Sequence, residues 1–178
     1  HTQIDMEMSF VSKDDIFNVV EGMMAHIFKK ILKIDLKIPF ERISYDRAMN
    51  LYGTDKPDLR FDLKMKDFSG FVEQGEFKAF KSVLESGGTV KALVVPDCSH
   101  YSRKMISELE DTAKTYNAKG LAWFKVTDQG LEGGISKFYE KNQKLLIKRL
   151  EAHPGDLVLL VGDNWKIACA SLGSVRTR

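Results

Sequence analysis

In "TQIDMEMSF", residues 2–10, Gln3, Asp5 and Glu7 alternate with Ile4, Met6, Met8 and Phe10. Successive side chains of an extended chain point to opposite sides, so this spacing predicts a strand with one apolar face and one face bearing an amide and two carboxylates. A carboxylate fixed on such a face can hold an ammonium group through a charge-assisted hydrogen bond. The same row equally describes the wet side of an antiparallel sheet. Other chemistry-bearing residues are sparse. Cys98 and His100 stand two apart in a loop, whereas catalytic thiol–imidazole partners normally meet through the fold. His26 and His153 lack a third ligand at metal spacing, so no metal site is expected. "LEGGISK" has the wrong glycine spacing before Lys137 for a phosphate loop, and no lysine there is followed by Ser or Thr; it predicts a turn before a helix.

The elements that position these residues follow from periodicity. Ser12 with Asp15 three residues on forms a capping-box pattern, and apolar residues from Ile16 to Leu32 recur at three and four, which predicts a long helix ending near Lys33. "ISYDRAMNLYG" offers Ser44 as an N-cap and Gly53 as a stop. The stretch 62–75, with Gly70 and Gly75, is the expected boundary between a segment 1–61 and a domain 76–178. "FKAFKSVLESGGTVKALVVP" predicts two strands joined at Ser86-Gly87-Gly88. A helix through Met105, Ile106, Leu109 and Ala113, a strand "LAWFKV", a helix over 136–152 and a core strand "DLVLLVG" follow; "WKIACAS" is expected to continue as a hairpin from the "GDN" turn. Strands interleaved with helices predict a two-layer α+β sheet-and-helix module with helices on one face.

Composition sets wide bounds. The 178 residues are 43% hydrophobic and 29% charged with net charge +2, a balance that carries no electrostatic footprint by itself. Two cysteines are too few for a disulfide scaffold, which points to reduced thiols in the cytoplasm. No apolar run approaches the roughly 18 residues of a membrane span. The chain starts inside an expected strand and ends on "SLGSVRTR", so it is expected to be a piece of a longer protein.

Seven stretches are similar to a known family. "TQIDMEMSF" resembles the end of motif 2 of bacterial-type, class II aspartyl-tRNA synthetases, and "ISYDRAMNLYGTDKPDLRF" the segment that follows it. "VKALVVP", "SRKMISELEDTAK", "AKGLAWFKV", "EGGISKF" and "GDLVLLVGDN" are similar, in order, to their GAD insertion domain. Asn117 stands where the family usually has glycine; asparagine also tolerates a left-handed backbone, so the turn is expected to survive.

The resemblance implies that Asp5 helps hold the α-ammonium of bound aspartate, with Gln3 and Glu7 as neighbours on an active-site strand. It implies a homodimeric parent that uses ATP and Mg2+ to activate L-aspartate and transfers it to tRNA. The ATP-gripping arginine and dimer interface would precede His1 and motif 3 would follow Arg178, so the segment alone is expected to be catalytically incomplete. Lys56, Arg60, Arg103 and Lys104 are candidate tRNA-facing residues. The alternatives are a purely architectural insertion, or the GAD-type module of a tRNA-dependent amidotransferase.

Overall fold

The computed structural model describes all residues, His1–Arg178. They form two compact units, His1–Ile43 and Ser44–Arg178. Residues 44–75, which the sequence divides between a first segment and a boundary, therefore pack with the second unit.

The first unit is built on α1 (Lys13–Ile27), which runs into one π-helical turn at Phe28–Leu32 and stops at Lys33 in the left-handed region. Its start is the expected capping box: the Ser12 hydroxyl accepts from the Asp15 amide, and the Asp15 carboxylate accepts from the Ser12 amide at 2.8 Å. Residues 1–8 form no helix and pair with no strand, so the expected strand is absent; a strand needs a partner to receive its backbone groups, and this unit has none. Glu21 is its one buried residue. It accepts from the Phe40 amide at 3.0 Å and pairs with Arg42, whose guanidinium lies 4.3 Å from the Phe17 ring centroid. The apolar side chains of Ile4, Phe10, Ile16, Phe17 and Ile31 stay exposed.

The second unit has a closed core. Its elements are α2 (Tyr45–Tyr52), β1 (Met65–Asp67), α3 (Lys78–Glu85), β2 (Thr89–Val95), α4 (Arg103–Lys114), β3 (Ala122–Thr127), β4 (Gly130–Glu132), α5 (Gln143–Leu150), β5 (Leu157–Asp163) and α6 (Trp165–Arg176). The five strands form one antiparallel sheet in the order β1-β2-β5-β3-β4. The α+β sheet-and-helix class holds, with helices on both faces where the sequence reading placed them on one. Central strand β5 shows why, because its residues are apolar on both parities. Leu157, Leu159 and Val161 pack with Met49, Ile106 and Leu172 on one face, while Val158 and Leu160 pack with Phe68, Phe80 and Leu146 on the other.

Two expected strands are helices. α3 buries Phe80 against Gly162, and the Gly87-Gly88 turn leads from it into β2 rather than joining two strands. α6 is capped by Asn164, whose side-chain oxygen accepts from the Ile167 amide at 3.0 Å, and its small Ala168, Cys169 and Gly173 let it lie flat on its neighbours. The helix expected over 136–152 is α over Gln143–Leu150 only, preceded by two short 3-10 turns at Ser136–Phe138 and Glu140–Asn142. Asn117 has φ 70°, the left-handed turn expected of it.

Candidate functional site

Gln3, Asp5 and Glu7 lie in the first unit, all exposed, on a segment whose Met6 and Met8 line a shallow 320 Å³ hollow with Ile16, Val19 and Val20 of α1. Glu7 also borders that hollow, so the segment does not divide cleanly into two faces.

In the second unit the loop after α2 carries Lys56 and Arg60. Gly53 ends α2 at φ 74°, and a Cβ there would overlap the Cys169 carbonyl oxygen, so only glycine lets the loop leave α2 against α6. The loop then turns on Asp58, which grips Arg60: Arg60 Nε lies 3.0 Å from both carboxylate oxygens and Nη2 lies 2.6 Å from Oδ2. That side-chain bond, with a second from the Arg60 amide, holds the Asp58 carboxyl down to about 2. A depressed carboxyl stabilises the fold above its ordinary value near 3.8 and loses that contribution as pH falls through the lowered value. An NMR titration of Asp58 is therefore expected to show a midpoint near 2; an ordinary midpoint would show that Arg60 swings free in solution. Because Arg60 is largely exposed, the effect on global stability is small.

What holds this loop is a residue that sequence reasoning missed. Arg176, in the last turn of α6, is only 4% exposed. Its Nη2 donates to the carbonyl oxygens of Asp58 at 2.8 Å and Phe61 at 3.2 Å, and its Nε donates to that of Leu63. The guanidinium lies 4.2 Å from the Phe61 ring centroid and 5.0 Å from that of Tyr52. Burial pulls its pKa below the usual arginine value. The segment "YGTDKPDLRF" is thus wrapped around a cation that lies more than a hundred residues further along the chain, and no local pattern reveals it.

Arg103 and Lys104 are exposed in the first turn of α4, beyond the Ser102 cap. Of the four candidate tRNA-facing cations, Arg60 alone enters an ion pair. Asn50 of α2 ties neighbouring elements together, its side-chain oxygen accepting from Lys91 Nζ at 2.8 Å and Trp165 Nε1 at 3.0 Å.

The glycine pair of "EGGISKF" serves packing. Gly133 and Gly134 both have positive φ; a Cβ on Gly134 would overlap the Trp123 carbonyl oxygen, and that oxygen accepts from the Ile135 amide at 3.0 Å. Beside this turn β3 ceases to pair with β5 beyond Ala122↔Leu160, while β5 continues to Asp163. The divergence opens a 530 Å³ hollow walled by Phe77, Phe80, Leu121 and Trp123, with Lys119 at its rim. No thiol–imidazole pair forms: His100 Nδ1 faces the Asp97 carbonyl oxygen at 2.9 Å, and Cys98 packs against the apolar cluster under α4 and α6. No three potential metal ligands converge.

Residues 80–172, which hold β2 to β5 and run from within α3 to within α6, match the GAD domain. The chain belongs to the GAD domain family. Its GAD domain therefore begins within α3 and ends within α6, so β1 and α2 pack on it from outside the matched region. Relatives extend across both units. Over 180 residues the chain is 54% identical to an aspartate–tRNA(Asp/Asn) ligase of Treponema denticola, covering 99% of this chain and 30% of that protein. It is 48% identical to an aspartate–tRNA ligase of Macrococcus caseolyticus over 179 residues, and 45% identical to an aspartate–tRNA(Asp/Asn) ligase of Desulfatibacillum aliphaticivorans over 179, with the same coverage. The chain spans about 30% of the length of these curated relatives. No helix of the GAD domain or of the first unit is long and apolar enough to cross a membrane.

Proposed function

We propose that this chain is the GAD-bearing portion of a class II aspartate–tRNA ligase, a cytoplasmic homodimer that activates L-aspartate with ATP and Mg2+ and transfers it to tRNA. The observation that carries the proposal is likeness to aspartate–tRNA ligases across 99% of the chain, first unit included, well beyond the GAD domain itself. That breadth favours a ligase over an amidotransferase sharing only the GAD module. The exposed apolar residues of the first unit support the same reading, because a unit that buries only Glu21 has faces left for the rest of a catalytic domain to cover. No carboxylate or histidine cluster in this chain fits Mg2+, so the proposal places the ATP and metal contacts on other parts of the ligase.

Within that reading Asp5 holds the α-ammonium of aspartate, a role suited to an exposed carboxylate, with Gln3 and Glu7 beside it. The segment alone forms no aspartyl-adenylate, because in-line attack on ATP needs cations positioned around the reacting phosphate. Lys56, Arg103 and Lys104 face tRNA; Arg103 and Lys104 sit at the positive end of the α4 dipole, where cations bring no benefit to the helix. The test is Asp5→Asn in the Treponema denticola ligase carrying this chain in place of its matching segment. The KM for aspartate is expected to rise about tenfold to a hundredfold, the loss of one charge-assisted hydrogen bond. An unchanged KM would remove Asp5 from the site.

A further inference from the structure

The exposed face of α5 is basic beyond what its helix dipole accounts for. Around this helix Leu146 and Leu150 are buried and Gln143 and Ile147 half-buried, forming the inward arc. The outward arc holds Lys144, Leu145, Lys148 and Arg149, and Lys141 precedes it by one turn on the same side. All five side chains are exposed, and none of the five is acidic. Lys144, Lys148 and Arg149 enter no ion pair, as is true of most cations of this chain; what sets them apart is their grouping on one face of one short helix. The nearest acidic residue after the helix, Glu151, is taken by Lys66, and Lys141 touches Glu76 only at 3.6 Å. One exposed carboxylate, Glu140, borders the same hollow as Lys141 and Lys144, so a chain with net charge of only +2 sets four cations against one neighbouring anion along this helix.

We infer that this α5 face is a docking surface for the phosphate backbone of RNA, read by charge rather than by base. The inference rests on the ligase proposal for its choice of polyanion and names a surface which that proposal does not require. Cations four residues apart rise about 6 Å along a helix, so the row can follow successive phosphates. One exposed apolar residue, Leu145, is too little to anchor a helix in a lipid surface, which needs a broad apolar face. The Lys148 and Arg149 charges also favour the C-terminal end of the α5 dipole; Lys144 and Lys141 sit too early for that explanation.

The experiment titrates this chain with aspartate tRNA across a salt series, beside a Lys144→Glu, Lys148→Glu, Arg149→Glu variant and a Lys141→Gln, Lys144→Gln, Lys148→Gln variant. The second variant decides the matter if charge reversal disturbs the helix. Both are expected to weaken binding at least tenfold, and the slope of log K against log salt is expected to fall by about 2, since each lost phosphate contact removes most of one released counterion. Vesicles containing phosphatidylserine are expected to bind neither variant nor the parent chain. Unchanged RNA affinity and slope in the folded glutamine variant, no RNA binding by the parent chain even at low salt, or vesicle binding tighter than RNA binding would overturn the inference. Its failure is separable from that of the ligase reading, which rests on aspartylation by the segment-exchanged ligase and not on this affinity.

Discussion

Gly134→Ala is expected to destabilise the second unit by about 4 kcal/mol, measured as the loss of unfolding free energy in urea. Two costs combine at this position. Its φ of 50° is left-handed, which a residue with a Cβ adopts at a cost of about 1–2 kcal/mol. The new methyl would also overlap the Trp123 carbonyl oxygen, a backbone atom of β3 that already accepts from the Ile135 amide and cannot swing aside. Relief requires the turn after β4 to move off the sheet, opening the wall of the neighbouring hollow. Gly87→Ala is the control, because Gly87 is also left-handed but a Cβ there meets nothing. It is expected to cost about 1 kcal/mol. Equal costs at the two positions would show that the close approach to Trp123 does not exist in solution.

Arg176→Met is expected to cost about 3–5 kcal/mol, and to do so locally first. Methionine keeps the length of the side chain and much of its packing but leaves the carbonyl oxygens of Asp58, Phe61 and Leu63 without their donor in a half-buried site. It also removes the guanidinium from the Phe61 and Tyr52 rings. Arg176→Lys is expected to fail nearly as badly, since one ammonium cannot span three carbonyls that a planar fork reaches. The distinguishing readout is limited trypsin digestion under native conditions: cleavage after Arg60 and Lys64 is expected to accelerate at least tenfold in the variants while the sheet stays protected. Global unfolding without early loop cleavage would assign Arg176 to the core at large rather than to this loop.

These two positions mark where sequence reasoning succeeds and where it stops. The Ser12–Asp15 cap, the Ser44 start and Gly53 stop of α2, and the apolar runs of β3 and β5 are local signals, and each predicts its element. α3 was masked by the Gly87-Gly88 turn after it: Phe77, Phe80 and Leu84 follow helical spacing, but a double glycine before an apolar run reads as a hairpin. α6 was masked because Trp165, Ile167 and Cys169 alternate, while the decisive signal was Asn164 acting as a cap rather than as a turn residue. β1 and β4 have three residues each, too short to show any period, and exist because β2 and β3 offer them an edge. The first ten residues alternate as a strand would, yet they remain unpaired because no strand in their unit can receive them. In the site the motifs were legible and their cause was not: the loop 54–63 owes its shape to Arg176, which lies far away in sequence.

The central claim is that this chain is the GAD-bearing portion of an aspartate–tRNA ligase, and segment exchange tests it most directly. The Treponema denticola ligase, 54% identical over the matched stretch, would receive this chain in place of its own segment, and aspartylation of its tRNA would be measured beside the unaltered enzyme. The account predicts a folded chimera that charges tRNA with aspartate within about tenfold of the parent kcat/KM. A chimera that folds as the parent does but leaves tRNA uncharged would contradict it.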